Sequence, residues 1–183
     1  DAFILLKKKE GYEDVGLVLT GGSTGDDRKY LSDIRGKLKE HGLQEQVEFH
    51  EEFEEEGLRE YFEKVSMVSV PVRNGEAFGI YLLECMASGV PVVQPALGAF
   101  PEIINLTGGG VIYESNTPEA LSESLEKLLL DPTEMDRLSK TGREGVDKHF
   151  HIDIQARNMV TAYEDAISRN KKPIPDHTDV TGS

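Results

Sequence analysis

The chain has 183 residues, 34 of them acidic and 20 basic, for a formal net charge of -14. A chain of this length buries roughly 70% of its unfolded surface, enough for one core, while its acidity excludes a broad phosphate-backbone footprint for nucleic acid and basic docking on an anionic membrane. Cys85 is the only cysteine, so no internal disulfide forms and a reducing, cytoplasmic setting fits; no apolar run approaches the roughly 20 residues that span a bilayer.

In chain order, residues 2–10 read as a helix with Ala2, Leu5 and Leu6 on one side, and Lys7, Lys8 and Lys9 near the end that favours cations. Residues 15–20 form a short apolar strand that runs into Gly21-Gly22. Leu31, Ile34 and Leu38 recur at helical spacing over 30–41, and Gly42 supplies the stop. A brief strand at 47–49, a helix at 58–65 and a strand at 67–72 follow. Residues 79–88 read as a helix closed by Gly89, then come a strand at 90–93, a helix at 101–106 and a strand at 110–113. Helices over 117–130, 132–150 and 152–168 finish the fold, the first with Thr117 as N-cap and Pro118 in the first helical position. Residues 170–183 carry two prolines and few apolar side chains, and are expected as a tail.

Strands alternating with helices predict an α/β domain over 1–169, a parallel sheet with helices on both faces. In such sheets ligands bind beyond the carboxyl ends of the strands. The most informative of those ends is the segment 71–93. A strand leads into a loop holding Gly75, Glu76 and Gly79, and a helix starts near Phe78, Gly79 and Ile80. Backbone N–H groups left free at a helix N-terminus attract an anion such as phosphate, and a glycine there admits close approach. Glu76 lies just before this helix and Glu84 within it. Carboxylates accept hydrogen bonds from sugar hydroxyls, so the pattern points to a hydroxyl-rich, phosphorylated ligand.

The spacing of Glu76 and Glu84, with seven residues between them, resembles the E-x7-E region of family 4 retaining glycosyltransferases, glycosyl transferases group 1. The likeness extends in order through residues 17–21, 47–49, 98–104, 108–113 and 118–121. It implies the C-terminal, donor-binding half of a two-domain GT-B fold, Rossmann-like in architecture. By this resemblance Glu76 contacts the donor sugar and stabilises charge at the anomeric carbon, and Glu84 holds the ribose hydroxyls. Ala77, Phe78, Gly79 and Ile80 meet the donor through backbone, Gly21 and Gly22 lie near the phosphates, and His50 and Phe53 border the nucleobase. The donor is a nucleoside-diphosphate sugar; the family needs no metal or other cofactor for catalysis, and His41, His50, His149, His151 and His177 show no metal-ligand clustering.

The resemblance further implies that a first strand, an Arg/Lys pair for the diphosphate and an N-terminal acceptor-binding domain precede Asp1. The chain alone is then expected to bind donor without transferring sugar, and any peripheral membrane association belongs to the other domain. Val72 and Ala77 depart from the residues usual at those positions in the family, which bears on fine donor contacts. Arg73 reads first as a solvated loop cation, the run Glu51-Glu52-Phe53-Glu54-Glu55-Glu56 as a solvated face, and Cys85 as a small core residue. Two rival readings stand beside this one. A degenerate, non-catalytic nucleotide-binding module would lack the upstream cations. A receiver-like regulatory domain would need an Asp at a strand end, which Thr20, Phe49, Pro71 and Val93 do not supply.

Overall fold

The computed structural model describes residues 1–21, 25–50 and 55–169. Gly22, Phe53 and the expected tail at 170–183 lie outside the described residues. The elements run α1 (Ala2–Lys7), β1 (Leu17–Thr20), α2 (Arg28–Glu40), β2 (Val47–His50), α3 (Glu55–Lys64), α4 (Ile80–Ala87), β3 (Val92–Pro95), α5 (Phe100–Thr107), β4 (Gly110–Tyr113), α6 (Pro118–Leu129), α7 (Pro132–Phe150) and α8 (Ile152–Arg169). Short 3-10 turns precede α2 and β2.

The described strands form two parallel pairs. β1 pairs with β2, from Leu17 opposite Val47 to Thr20 opposite His50, and β3 with β4, from Val92 opposite Gly110 to Pro95 opposite Tyr113. The strand expected at 67–72 is reduced to one parallel bridge, Val68 to Val92. Val68 N–H donates to the Pro91 carbonyl (3.0 Å), and Val93 N–H to that of Val68 (2.9 Å). To continue, the ladder would need the Val70 N–H on the Val93 carbonyl and then an N–H from Pro95, which has none. The Val70 N–H turns instead to Oε1 of the fully buried Gln94, at 3.0 Å.

The core divides along the same line. Leu82, Cys85, Met86, Val90, Val92, Phe100, Ile103 and Ile104 form one cluster between α4, α5 and β3. Val93, Tyr113, Leu121, Leu128 and Leu138 form a second under α6 and α7. Leu38, Leu43 and Val47 form a third beside β1 and β2. The short α1 joins the last two, because Ala2 packs in one and Ile4 in the other. Positions two apart on a helix point to nearly opposite sides, so α1 buries Ala2, Ile4 and Leu6 rather than the single face Ala2, Leu5 and Leu6 expected from sequence.

Lys7 does more than complement a helix end: its Nζ donates to the carbonyls of Glu13 (2.7 Å) and Val15 (3.0 Å) and closes the turn into β1. Lys9 pairs with Glu126 of α6. Thr117 caps α6 as expected, accepting from the Ala120 N–H at 3.2 Å. Close backbone approach seats α7. A Cβ added to Gly109 would lie 2.5 Å from the Gly142 Cα, and one on Gly145 2.5 Å from the Thr107 Cα. α8 buries none of its residues and leaves Ile152, Met159, Val160, Tyr163 and Ile167 exposed. No helix among the described residues is long and apolar enough to cross a membrane.

Candidate functional site

The loops that follow Val72, β3 and β4 converge at the carboxyl ends of the strands. Three contacts fix the loop carrying Glu76. Asn116, after β4, donates through Nδ2 to the Val72 carbonyl at 2.9 Å. The Ala99 N–H, after β3, donates to the Glu76 carbonyl at 3.0 Å. The Phe78 ring meets Phe150 of α7 edge-on, with centroids 6.1 Å apart.

The helix start lies where sequence put it. Gly79 caps α4 in the left-handed region, with φ at +79°. Its lack of a side chain has a different cause from the expected one. An added Cβ would meet Glu76 Cγ at 3.2 Å and the rings of Phe100 and Tyr81 at 3.4 Å. The bare Cα therefore makes room for the protein's own atoms, with the Glu76 side chain against it. The Glu76 carboxylate accepts from the Ala77 N–H at 3.0 Å, so it lies on the first of the amides that lead into the helix. At the start of α4 the Leu82 N–H donates to the Gly79 carbonyl at 2.9 Å, which leaves the amides of Ile80 and Tyr81 as the first-turn donors with no acceptor in the helix.

Glu84 lies one turn after Ile80 on α4, and both are exposed. The helix turns Leu82, Cys85 and Met86 into the core and leaves Ile80, Glu84 and Ala87 on the open side. Glu76, Ala77, Phe78, Gly79 and Ile80 thus lie together at the start of α4, where Gly79 is buried and Ala77, Phe78 and Ile80 are exposed, and Glu84 is exposed one turn further on. Gly21 and His50 form a second group at the carboxyl ends of β1 and β2, where the Gly21 N–H donates to the His50 carbonyl at 3.3 Å. The His50 ring lies 3.3 Å from the Glu48 carboxylate. Arg73 is exposed, as its bland reading had it.

Beneath the open face the environment is dry. Burial, aided by the neighbouring Glu84 charge, pushes the Cys85 thiol up to about 12. Burial does the same to the Tyr81 phenol, with the charges of Glu76 and Cys85 as lesser causes, and raises it to about 12. The Tyr81 hydroxyl is buried without a hydrogen-bond partner, and so is Nε2 of Gln94. A neutral, buried Cys85 fits a core residue and not a nucleophile. Among the described residues, no group of three or more His, Cys, Asp or Glu is placed to hold a metal ion.

Three residues that organise this site escaped the sequence reading. Gln94 was visible as a polar residue at the end of an apolar strand. Asn116 acts through its side-chain amide and Ala99 through its backbone N–H, each on a carbonyl distant in sequence, so neither leaves a local pattern.

Comparison with known proteins decides the family. The model of the family described as Glycosyl transferases group 1 matches residues 1–145. The chain belongs to this family. It is 28% identical over 155 residues to a lipopolysaccharide core biosynthesis mannosyltransferase, LpsB, of Rhizobium meliloti, covering 82% of this chain and 43% of that protein. Among solved structures it is similar to the C-terminal domain of a group 1 glycosyltransferase, LpcC, from Francisella tularensis. That match has 26% identity and a TM-score of 0.73, over 82% of this chain and 76% of the domain. The fold is shared with Anabaena Alr3699/HepE, solved in complex with UDP-glucose, at 17% identity and a TM-score of 0.75, over 89% of this chain and 44% of that one. The chain thus spans about two fifths of the length of the relatives it matches. Its architecture is the Rossmann-like C-terminal half of the GT-B glycosyltransferases, as the sequence implied.

Proposed function

We propose that residues 1–169 form the donor-binding domain of a retaining glycosyltransferase, and that 170–183 are a tail. The donor is a nucleoside-diphosphate sugar, the ligand class to which the UDP-glucose of the Anabaena neighbour belongs. The observation that carries the reading is the start of α4. There a pinned loop holds the Glu76 carboxylate on the Ala77 N–H, three residues before the helix begins, and Glu84 is exposed one turn after Ile80. Helix amides suit a diphosphate, and carboxylates suit sugar hydroxyls.

In this reading the diphosphate lies across the amides of Phe78, Gly79 and Ile80. Glu84 takes the ribose hydroxyls, and Glu76 takes a hydroxyl of the transferred sugar. As the glycosidic bond to the diphosphate breaks, positive charge grows at the anomeric carbon and Glu76 stabilises it. The helix amides stabilise the departing diphosphate. Gly21 borders the phosphates and His50 the base. An N-terminal acceptor domain and an upstream strand with its diphosphate-binding cations complete the enzyme in the full-length protein. The chain alone therefore binds donor and does not transfer sugar.

Calorimetric titration with UDP, GDP and ADP, and with their glucose or mannose conjugates, tests the reading. One base is expected to bind best. Glu84→Ala should weaken it about tenfold, the size of a lost hydrogen bond to a charged group. Binding that is indifferent to Glu84→Ala, or a best ligand without a diphosphate, would overturn the assignment. In the full-length protein Glu76→Ala should abolish most turnover.

A further inference from the structure

Two glycines from different loops face each other beside Glu76. Gly75 and Gly98 both have positive φ, +81° and +56°. A Cβ on Gly75 would lie 3.1 Å from the Gly98 nitrogen. A Cβ on Gly98 would lie 2.7 Å from the Glu76 nitrogen and nearer still to its carbonyl oxygen. That same oxygen accepts from the Ala99 N–H. The backbone of Glu76 is therefore tied to the 98–99 segment by the Ala99 hydrogen bond, and only the bare Gly98 Cα leaves room for that close approach.

Something has to give if either glycine gains a side chain, and burial decides which part. Gly98 leads directly into α5, whose Phe100 is fully buried and whose Ile103 and Ile104 sit in the same core cluster. The loop opposite exposes Arg73, Asn74, Ala77 and Phe78. The core side resists and the exposed loop moves.

We infer that Gly98 and the Ala99 N–H are positioning elements for Glu76: the α5 entry sets the place of the carboxylate and so the affinity for the sugar part of the donor. The inference rests on the donor-site reading above for its ligand, but its geometry stands without it. Gly98 touches no reacting atom. It acts through the Glu76 backbone.

A matched control exists at the other end of α5. Gly108 also has positive φ, +70°, and an added Cβ would make only ordinary contact with Thr141 at 3.5 Å. Alanine at 98 and at 108 thus imposes similar backbone strain, and only the first collides with Glu76.

The experiment compares G98A, G108A, E76A and the double variant E76A/G98A in the 183-residue chain. Binding of UDP and of UDP-glucose is measured for each, and amide resonances are recorded without ligand. G98A should lose the extra affinity that glucose confers, about tenfold if one hydrogen bond to the carboxylate is broken. Its affinity for UDP alone should stay near that of the parent chain, and E76A/G98A should be no worse than E76A. The amides of Ala77 and Gly79 should shift in G98A and remain in place in G108A. Unmoved Ala77 and Gly79 resonances in G98A would overturn the inference whether or not nucleotide binds. So would equal losses of UDP and UDP-glucose in G98A, or additive losses in the double variant. Absence of nucleotide binding by the parent chain, with the resonances shifted, would leave the positioning intact and sink the donor-site reading instead.

Discussion

The two half-sheets are built from strands of equal length, yet they are not equally supported. Every residue of β3 is buried, whereas β1 is half-buried with an exposed end. β3 lies under α4, α5 and α6 and is bridged by Val68 on one edge and β4 on the other. β1 has β2 on one edge, and its core partners come from α1, α2 and β2. Burial on both faces is what lets a strand read as a continuous apolar run. The difference shows why Glu76 is fixed where it is: its loop is tied to the rigid half, through Ala99 and Asn116, whereas Gly21 and His50 hang on the weaker one.

The sharpest way to break the comparison is to hollow both halves. Phe100 is fully buried in the rigid half, and Phe100→Ala should cost about 3–5 kcal/mol. Leu38→Ala in the other half should cost about 2–3 kcal/mol, toward the lower end for such sites, because a cluster at the margin collapses more readily. Urea unfolding of the two variants checks the order. Native-state amide exchange should show the same ranking, with Val93 protected beyond Leu19. Equal protection would remove the distinction between the halves.

A glycine in α7 sharpens it. In an exposed helix interior, alanine is better than glycine by about 1 kcal/mol. At Gly145 an added Cβ would lie 2.5 Å from the Thr107 Cα and 2.8 Å from its carbonyl carbon. Backbone cannot retreat as a side chain can, so the clash wins. Gly145→Ala should destabilise by about 1–3 kcal/mol despite the gain in propensity, read as a fall in the urea midpoint.

These contacts also mark the limit of what sequence shows. Most of the element order, the α4 start at Gly79 and Ile80, and the Thr117 cap follow from local spacing and turn chemistry, and local spacing lies open in a sequence. The lost strand at 67–72 does not, because its failure depends on which residue of β3 stands opposite. Pro95 ends the ladder only after the register is known. The near collision of Gly98 with Glu76 joins loops 22 residues apart, and nothing local signals it.

Alkali probes the dry layer under α4. Unfolded, the Cys85 thiol loses its proton near 9; folded, it holds it to about 12. Between those values the unfolded chain binds fewer protons than the folded one, so stability falls as pH rises. Tyr81, raised from 10 to about 12, acts in the same direction over the upper part of the window. The melting temperature should therefore decline from pH 9 toward pH 12, and Cys85→Ala should flatten the first part of that decline. An unchanged slope in the variant would place the alkaline loss elsewhere.

The smallest effect has the opposite sign and comes from the weaker half. Gly36 lies inside α2, and an added Cβ would meet nothing within 4 Å. Gly36→Ala gains helix propensity and removes freedom from the unfolded chain without a collision. It should stabilise by about 0.4–1 kcal/mol, seen as a higher urea midpoint with an unchanged slope. Gly36 and Gly145 are the same residue in the same secondary structure, so intrinsic propensity alone predicts one sign for both. Opposite signs would show that tertiary approach governs α7 and local propensity governs α2. A gain at both positions would mean that α7 can lift off Thr107, and the rigid half would then be looser than its buried strand implies.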